Sequence, residues 1–387
     1  MLFGKIKLKN FESKKSNFKI KKDLKKLIKE NNKILNTLKS TYKYSYNKSI
    51  ILRNKNFKKL NIIGMGGSIL GAEAIYNFLK NKIKKKIVFF NNLSSNLKSN
   101  KNNKKDLNLI ISKSGNTLET IVSSNILIKN KNKNIFIVEN QKNYLNNLAK
   151  KLKGEIIEHK NYIGGRYSVL SEVGMLPSEL MGLNEKNFKQ FNFLIKNKNF
   201  INNLIKSVES ILFYLSRGKS NSIILNYDEN SEKLFLWYQQ LVAESLGKKG
   251  KGILPTISSM PKDNHSLMQY YLDGPKNNFF TFFYTFEKKS EKIQNQNLLK
   301  SHNYLRNKYV NKILFTQKIA TENVFKSKKI PFRSFEIYKR DEKTIGQLFC
   351  FFILETILLG RALKVNPYDQ PSVELIKKET KKIFLKN

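Results

Sequence analysis

The stretch NIIGMGGSILGAEAIYNFL, residues 61–79, joins an apolar strand to a helix through a glycine-rich turn. Its spacing excludes the dinucleotide fingerprint Gly-x-Gly-x-x-Gly, because Ile69 stands at the third glycine position counted from Gly64 and Gly66. The phosphate-binding P-loop is excluded as well, since Phe213 stands where the Gly-Lys-Ser at 218–220 needs a preceding glycine. Two interpretations remain: an anion site at the helix start near Ser68, or simply a tight strand-to-helix turn.

Short apolar strands alternate with helical segments on both sides of this stretch, which predicts parallel sheets covered on both faces. We predict two doubly wound α/β domains, at 51–190 and 191–387, behind an N-terminal helical arm at 1–50. The arm contains a lysine-rich amphipathic helix at 22–40, and a helix closes the chain at its C-terminus. The predicted strands and helices are strands at 60–64, 86–91, 107–112, 134–140, 155–159, 222–227, 279–286 and 333–338, and helices from Ser68, from Thr117, at 141–152, at 231–247 and at 342–364.

The composition, with 40% hydrophobic and 12% aromatic residues among 387, predicts a globular protein. The net charge of +44 raises the possibility of nucleic-acid binding, but it comes from lysines spread over the chain, with only seven arginines and no recognition motif. We interpret it as a solvated surface that draws anions towards any cleft. No run approaches the roughly 18 apolar residues of a membrane span, and no secretory leader is evident, so we expect a cytoplasmic protein that binds neither membranes nor specific nucleic acids. The single cysteine, Cys350, lies in an apolar run and is expected to be buried and inert.

A second turn, in LIISKSGNTLETI at 109–121, carries Ser112, Lys113, Ser114 and Thr117 between a strand and a helix. Hydroxyls, an ammonium group and free helix amides together favour a phosphate. The alternative is ordinary helix capping by Ser114 or Thr117 with help from Glu119.

Four further stretches hold candidate site residues. Arg166 stands out in IGGRYSVLSEVG (163–174) because arginine is rare here, although a structural ion pair would also explain it. Gln240 and Glu244 in WYQQLVAESLGKKGKG (237–252) share one helix face, and Glu244 is a candidate general base. His265 lies in PKDNHSLMQYYLDGP (261–275), and Gln370 and Lys377 lie in YDQPSVELIKK (368–378).

Taken in order, these motifs resemble those of glucose-6-phosphate isomerases over about residues 58–378: Gly-x-Gly-Gly-Ser-x-x-Gly, Ser-Lys-Ser, Gly-Gly-Arg-Tyr-Ser, Ala-Glu-Ser-x-Gly-Lys, His-Ser and Gln-Pro-x-Val-Glu-x-x-Lys. The resemblance implies two sugar-isomerase (SIS) domains and isomerisation of glucose 6-phosphate and fructose 6-phosphate through an enediolate. It assigns Glu244 as the base, Arg166 to the enediolate, and His265 with Lys377 to ring opening. It also implies a homodimer in which His265 acts in the partner's site. Substrate binding is assigned to Gly67, Ser68, Ser112, Lys113, Ser114, Thr117, Gln240 and Gln370.

This chemistry moves one proton between C1 and C2, so a single carboxylate suffices and no cofactor or metal is expected. The turn Ser114-Gly115-Asn116 departs from the family's usual threonine-rich form and is closer to dual phosphoglucose/phosphomannose isomerases. Asn264 replaces the usual glutamine before His265, and the chain is short for the family. The alternatives are a dual isomerase, a non-catalytic phosphosugar-binding SIS protein and a basic nucleic-acid-binding protein.

Overall fold

A computed structural model describes residues 2–12, 19–30, 32–98, 105–129, 133–287 and 290–386. These residues form two sheets flanked by helices. The strands are β1 (Leu2–Phe3), β2 (Ile6–Lys9), β3 (Lys59–Gly64), β4 (Lys86–Phe90), β5 (Asp106–Ile111), β6 (Lys133–Val138), β7 (Glu155–Glu158), β8 (Asn221–Asn226), β9 (Leu254–Ser259), β10 (Asn278–Thr285) and β11 (Phe332–Ile337). The α-helices are α1 (Ile20–Lys29), α2 (Lys33–Asn36), α3 (Ser49–Asn54), α4 (Leu70–Phe78), α5 (Leu118–Leu127), α6 (Tyr144–Lys151), α7 (Glu172–Leu180), α8 (Phe191–Leu194), α9 (Lys198–Leu215), α10 (Glu232–Leu246), α11 (Met268–Asp273), α12 (Val310–Ser327), α13 (Glu342–Ala362) and α14 (Val373–Phe384).

The first sheet is entirely parallel, in the order β4-β3-β5-β6-β7. Its central strands are apolar almost throughout, as expected for strands covered by helices on both faces. Ile62 of β3, for example, is fully buried and lies opposite Phe89 of β4 and Leu109 of β5. This confirms the predicted parallel sheet.

The parallel strands of the second sheet have the same relative order as those of the first, with β8 in the position of β3. Its parallel strands run in the order β9-β8-β10-β11, so in both sheets the first parallel strand lies between the second and the third. The chain therefore reverses its winding direction between β3 and β5 in one sheet and between β8 and β10 in the other. Ligands in doubly wound folds bind at this point, at the carboxyl ends of the strands.

The N-terminal arm contains two helices, α1 and α2, where the sequence predicted one helix at 22–40; the single helix was wrong because Glu30 is extended and Asn32 caps a new helix. The arm also contains a hairpin that the sequence pattern did not reveal. Strands β1 and β2 turn at Gly4, whose φ of +60° suits glycine, and β2 pairs antiparallel with β11. Ile6 and Leu8 face the core, whereas Lys7 and Lys9 form ion pairs with the buried Glu336 at 3.3 and 3.1 Å. The first residues of the chain thus extend the second sheet. We keep the boundary near residue 190, which precedes α8, as an interpretation.

Helix α13 forms the centre of the core and packs against α9 and α10. It begins where Asp341 accepts a hydrogen bond from the Thr344 amide at 2.9 Å. It is long and apolar enough to cross a membrane, but 89% of its most apolar window is buried within the described protein, as in the core helix of a globular domain. Cys350 lies in α13, where burial raises the pKa of its thiol to about 12, in line with the expected inert thiol.

Candidate active site

The glycine turn and the hydroxyl turn lie side by side, because they follow the neighbouring strands β3 and β5. This is the point where the winding of the first sheet reverses. The glycine turn continues through a short 3-10 helix, Gly66–Ser68, into α4. Ser68, the last residue of this 3-10 helix, is 9% exposed.

Gly67 brings the glycine turn into direct contact with the Gly-Gly-Arg turn at 164–166. A β-carbon on Gly67 would lie 2.2 Å from the carbonyl carbon of Gly165 and 2.5 Å from the Arg166 amide nitrogen. The Ser168 hydroxyl holds the contact by donating to the Gly165 and Gly67 carbonyls at 2.7 and 3.3 Å. Glycine is therefore required at 67 for close backbone approach, and Arg166 takes its position from this contact.

The hydroxyl turn leaves the start of α5 without a side-chain cap. Thr117 occupies the N-cap position, but its hydroxyl lies 2.9 Å from that of the buried Ser112 instead of capping the helix. The Ser114 hydroxyl accepts only the nearby Asn116 amide, at 3.3 Å. Ser114 and Thr117 therefore do not cap α5, and the backbone amides at the start of α5 remain available to bind an anion. Lys113 borders the turn, and its Nζ lies 3.6 Å from Glu139 Oε1.

Arg166 is 1% exposed, and four hydrogen bonds and one ion pair within the protein hold its guanidinium group. Its partners come from α10 and from residues 367–370 beyond α13. They are Ser245 Oγ at 2.8 Å from Nε, the Pro367 and Asp369 carbonyls at 2.8 and 2.9 Å from Nη2, Gln370 Oε1 at Nη1, and Glu244 Oε1 at 3.2 Å from Nη1. The ion pair considered in the sequence analysis is thus present, and its carboxylate is that of Glu244, the candidate general base.

Helix α10 of the second half of the chain lies across the turns of the first sheet. Gln240 and Glu244 share one face of this helix, as the i, i+4 spacing predicts. The Gln240 amide nitrogen lies 3.0 Å from where a β-carbon of Gly66 would be, and its Oε1 is buried without a hydrogen-bond partner among the described residues. Gln240 therefore lies beside the glycine turn, while Glu244 faces Arg166.

Two residues without an assigned role in the sequence analysis support Arg166. Ser245 is fully buried and bonds to both Arg166 and the Tyr167 hydroxyl, the latter at 2.9 Å. Tyr167 also donates to the Pro367 carbonyl at 3.0 Å, and burial raises the pKa of its phenol to about 12. Both residues stood within motifs quoted from the sequence, where only their neighbours were given roles.

His265 and Lys377 lie outside this constellation in the single chain. His265 is exposed just beyond the 3-10 helix Lys262–Asn264, and its ring has no hydrogen-bond or ionic partner among the described residues. Lys377 is exposed on α14 and forms an ion pair with Glu374 at 2.6 Å. Helix α14 buries none of its residues against the rest of the chain.

No cluster of three His, Cys, Asp or Glu side chains within the described ranges could hold a metal ion. A cavity of about 860 Å³ opens at the opposite, amino-terminal edge of the second sheet, beside Asn278 and Phe332. Its cations, such as Arg217 and Lys328, follow the C-termini of α9 and α12, where positive charge stabilises helices. We therefore place the candidate site at Arg166 and Glu244.

Known proteins are similar to this chain in sequence over most of its length. Residues 8–258 match the family described as phosphoglucose isomerase. The chain belongs to the phosphoglucose isomerase family. One relative, named glucose-6-phosphate isomerase, from Mycoplasmopsis pulmonis, is 33% identical over 378 residues, covering 87% of this chain and 86% of the relative. Another of that name, from Methanocaldococcus jannaschii, is 32% identical and covers 83% of each chain.

The fold is similar to that of a solved structure over nearly the whole chain. The solved structure of a hypothetical protein from Thermus thermophilus superimposes with a TM-score of 0.80 over 94% of both chains. At 21% identity this similarity concerns the fold alone. It agrees with the two SIS domains that the sequence resemblance implied.

Proposed function

We propose that this protein interconverts glucose 6-phosphate and fructose 6-phosphate through an enediolate intermediate, as a step of glycolysis and gluconeogenesis. As a member of the phosphoglucose isomerase family it is an aldose–ketose isomerase. The observation that carries the proposal is the approach of Glu244 Oε1 to within 3.2 Å of Arg166 Nη1, beside two turns suited to a phosphate. A non-catalytic phosphosugar-binding protein would need the turns but not this pair.

The phosphate of the sugar binds at the paired turns in this proposal. Backbone amides at the starts of α4 and α5, hydroxyl groups and one ammonium group supply the donors. Holding the phosphate places the far end of the sugar over α10, so binding energy remote from the reaction orients C1 and C2. The proposed phosphate ligands are Gly67, Ser68, Ser112, Lys113, Ser114 and Thr117.

Glu244 takes the proton from one carbon and returns it to the other. Negative charge that builds on the enediolate oxygens is stabilised by the guanidinium group of Arg166. Because Gln370 and Glu244 both lie at Arg166 Nη1, we expect a substrate oxygen to displace one of these two contacts. Gln370 is the ligand we expect to be displaced, since Glu244 must stay near the carbons. Gln240, with its unpartnered Oε1, is placed to accept a sugar hydroxyl.

Ring opening is assigned to His265 and Lys377, which requires a second copy of the chain. The unpartnered α14 supports this assembly: Ile376 and Phe384 are 74% and 68% exposed, and with Val373 and Ile383 they form one apolar face. We propose that this face packs against the partner in a homodimer, bringing Lys377 to a site, and that His265 acts in the partner's site. We place the protein in the cytoplasm, where a lone thiol stays reduced.

The purified protein should convert fructose 6-phosphate into glucose 6-phosphate in an assay coupled to a dehydrogenase. Glu244→Gln should lower kcat at least about 1,000-fold, because the amide cannot accept the proton, while the Kd of the sugar phosphate stays within about threefold. Glu232→Gln, an exposed change on the same helix, is the matched control. Binding without turnover in the wild type would contradict the isomerase proposal, and near-normal activity of Glu244→Gln would contradict the base assignment. Mannose 6-phosphate in the same assay decides whether the protein is a dual isomerase.

Mixing inactive subunits tests the shared site. If His265 acts in trans, a hybrid of Glu244→Gln and His265→Ala subunits has one site with both residues intact. Random mixing should then restore up to about a quarter of wild-type activity. No recovery despite hybrid formation, verified by differently tagged subunits, would contradict the exchange of His265.

A further inference from the structure

The connecting segment, residues 363–372, joins α13 to α14 and passes directly over Arg166. Its Pro367 and Asp369 carbonyls accept hydrogen bonds from Arg166 Nη2, and its Gln370 side chain lies at Nη1. The segment therefore brings one carboxylate, that of Asp369, close to the cation that the reaction needs. Arg166 contributes to lowering the pKa of Asp369, although the larger cause is the hydrogen bond from Lys248.

Lys248 holds this carboxylate from the opposite side. Its Nζ lies 2.7 Å from Asp369 Oδ1 and also donates to the Asn366 carbonyl, and its side chain is only 12% exposed. The Asp369 side chain is 52% exposed. Within the described residues, its other side-chain contact is the Asn366 amide group, which donates a hydrogen bond to Oδ2 at 3.0 Å. Without the ammonium group, the Asn366 amide would be the remaining side-chain contact of this carboxylate within the described residues.

A tight turn fixes the direction of Lys248. The chain leaves α10 just after Glu244 and reverses at Lys249 and Gly250, whose φ values are +54° and +69°. The Lys248 amide donates to the Lys251 carbonyl at 3.0 Å, and the Lys251 amide returns the bond at 2.9 Å. This hairpin-like turn directs Lys248 towards the connecting segment, while Lys249 is exposed.

We propose that Lys248 is a positioning residue that keeps the Asp369 carboxylate away from Arg166, so that the guanidinium charge stays available to the enediolate. A second carboxylate beside that of Glu244, if it paired with the guanidinium group, would cancel more of this charge and compete with the substrate oxygen. The inference rests on the proposed isomerase function. It gives a task to the lysine of the Ala-Glu-Ser-x-Gly-Lys motif, to which the sequence resemblance assigned none.

The test compares Lys248→Met, Asp369→Asn and the double variant, with Lys249→Met as the matched lysine control. Lys248→Met should lower kcat about tenfold or more with KM within about threefold, because the loss concerns charge that develops in the transition state. Asp369→Asn should stay within about threefold of wild type, and in the double variant it should restore most of the activity that Lys248→Met loses. Lys249→Met should behave as wild type.

A rescue separates this role from simple stabilisation. If Lys248 only braced the connecting segment, Asp369→Asn would add to the damage, and a double variant as slow as Lys248→Met or slower would overturn the proposal. Unchanged kcat in Lys248→Met would overturn it as well.

A binding measurement gives the same comparison without turnover. A five-carbon aldonic acid phosphate places a carboxylate where the enediolate forms, and calorimetry measures its Kd. Lys248→Met should weaken this ligand about tenfold and leave inorganic phosphate unchanged, with recovery in the double variant. If this pattern holds while the wild type turns over no substrate, the proposed function fails and the inference about Lys248 stands. If the wild type is active but the pattern is missing, only the inference fails.

Discussion

Gly67→Ala tests whether the contact between the glycine turn and the Gly-Gly-Arg turn sets the active-site geometry. Gly67 does not occupy the left-handed region, so alanine suits its backbone conformation and only space opposes the change. The added carbon would lie 2.2, 2.5 and 2.6 Å from the Gly165 carbonyl carbon, the Arg166 nitrogen and the Gly165 oxygen. All three are backbone atoms, so no side-chain rotation relieves the clash.

The two turns must then separate by roughly 1 Å to reach normal van der Waals contact, which lies near 3.5 Å between carbon atoms. Arg166 moves with its amide, whereas Glu244 stays on α10. A displacement of about 1 Å costs on the order of 100-fold in rate. Overpacking of this kind also lowers the free energy of unfolding by about 1 to 3 kcal/mol. We therefore expect Gly67→Ala to fold and to lose most of its activity.

The measurements are kcat in the coupled assay and the free energy of unfolding in guanidinium chloride. Gly164→Ala is the matched control in the facing turn, because its β-carbon would meet only Tyr167, at 3.8 Å, and its φ of −67° suits alanine. It should retain wild-type activity. Activity of Gly67→Ala within about threefold of wild type would refute the geometric reasoning, and equal damage in both variants would show that the turns tolerate no change at all.

Two more outcomes follow from the buried groups near the site. Ser245→Ala removes the acceptor at Arg166 Nε. Since a hydrogen bond to a charged group contributes about 1.5 to 3 kcal/mol, kcat should fall about tenfold or more with little change in KM. An unaltered kcat would show that Ser245 does not support the reaction. Burial lowers the pKa of His159 to about 4 from its ordinary 6.5, so between these values the unfolded chain binds a proton that the folded chain does not. Stability should therefore rise with pH across this window by up to about 1.4 kcal/mol per unit, and His159→Gln should reduce that slope in denaturant titrations; equal slopes would contradict it.

The predicted strands are those with continuous apolar runs, and β3, β5, β6 and β10 confirm the pattern. Strand β9 went unpredicted because LPTISS contains a proline and three hydroxyl residues. It lies at the edge of the second sheet, where a proline is tolerated, so it needs less apolar character than a central strand. The hairpin β1–β2 was not predicted because its strands are short and β2 pairs with the distant strand β11.

For the site, the sequence predicted the paired turns, since neighbouring parallel strands place their carboxyl ends together. It could not predict that α10 packs against α4 of the first half of the chain, because that contact depends on side chains far apart in the sequence. The same contact brings Glu244 to Arg166 and places Ser245 beneath the guanidinium. Local patterns hold no information about which residue supports Arg166, and so Ser245 and Lys248 emerged only from the structure.

The pairing of β2 with β11 has a consequence for biosynthesis. Ile6 lies opposite Ile337, so β2 finds its partner only after all the residues between β2 and β11 have been made. At about 5 to 20 residues per second, this wait lasts roughly 20 to 60 seconds. During that time Phe3, Ile6 and Leu8 have no sheet to cover them, and the second sheet cannot be completed before β11 has been made. The synthesis of β11 therefore decides when the hairpin β1–β2 can fold into its sheet.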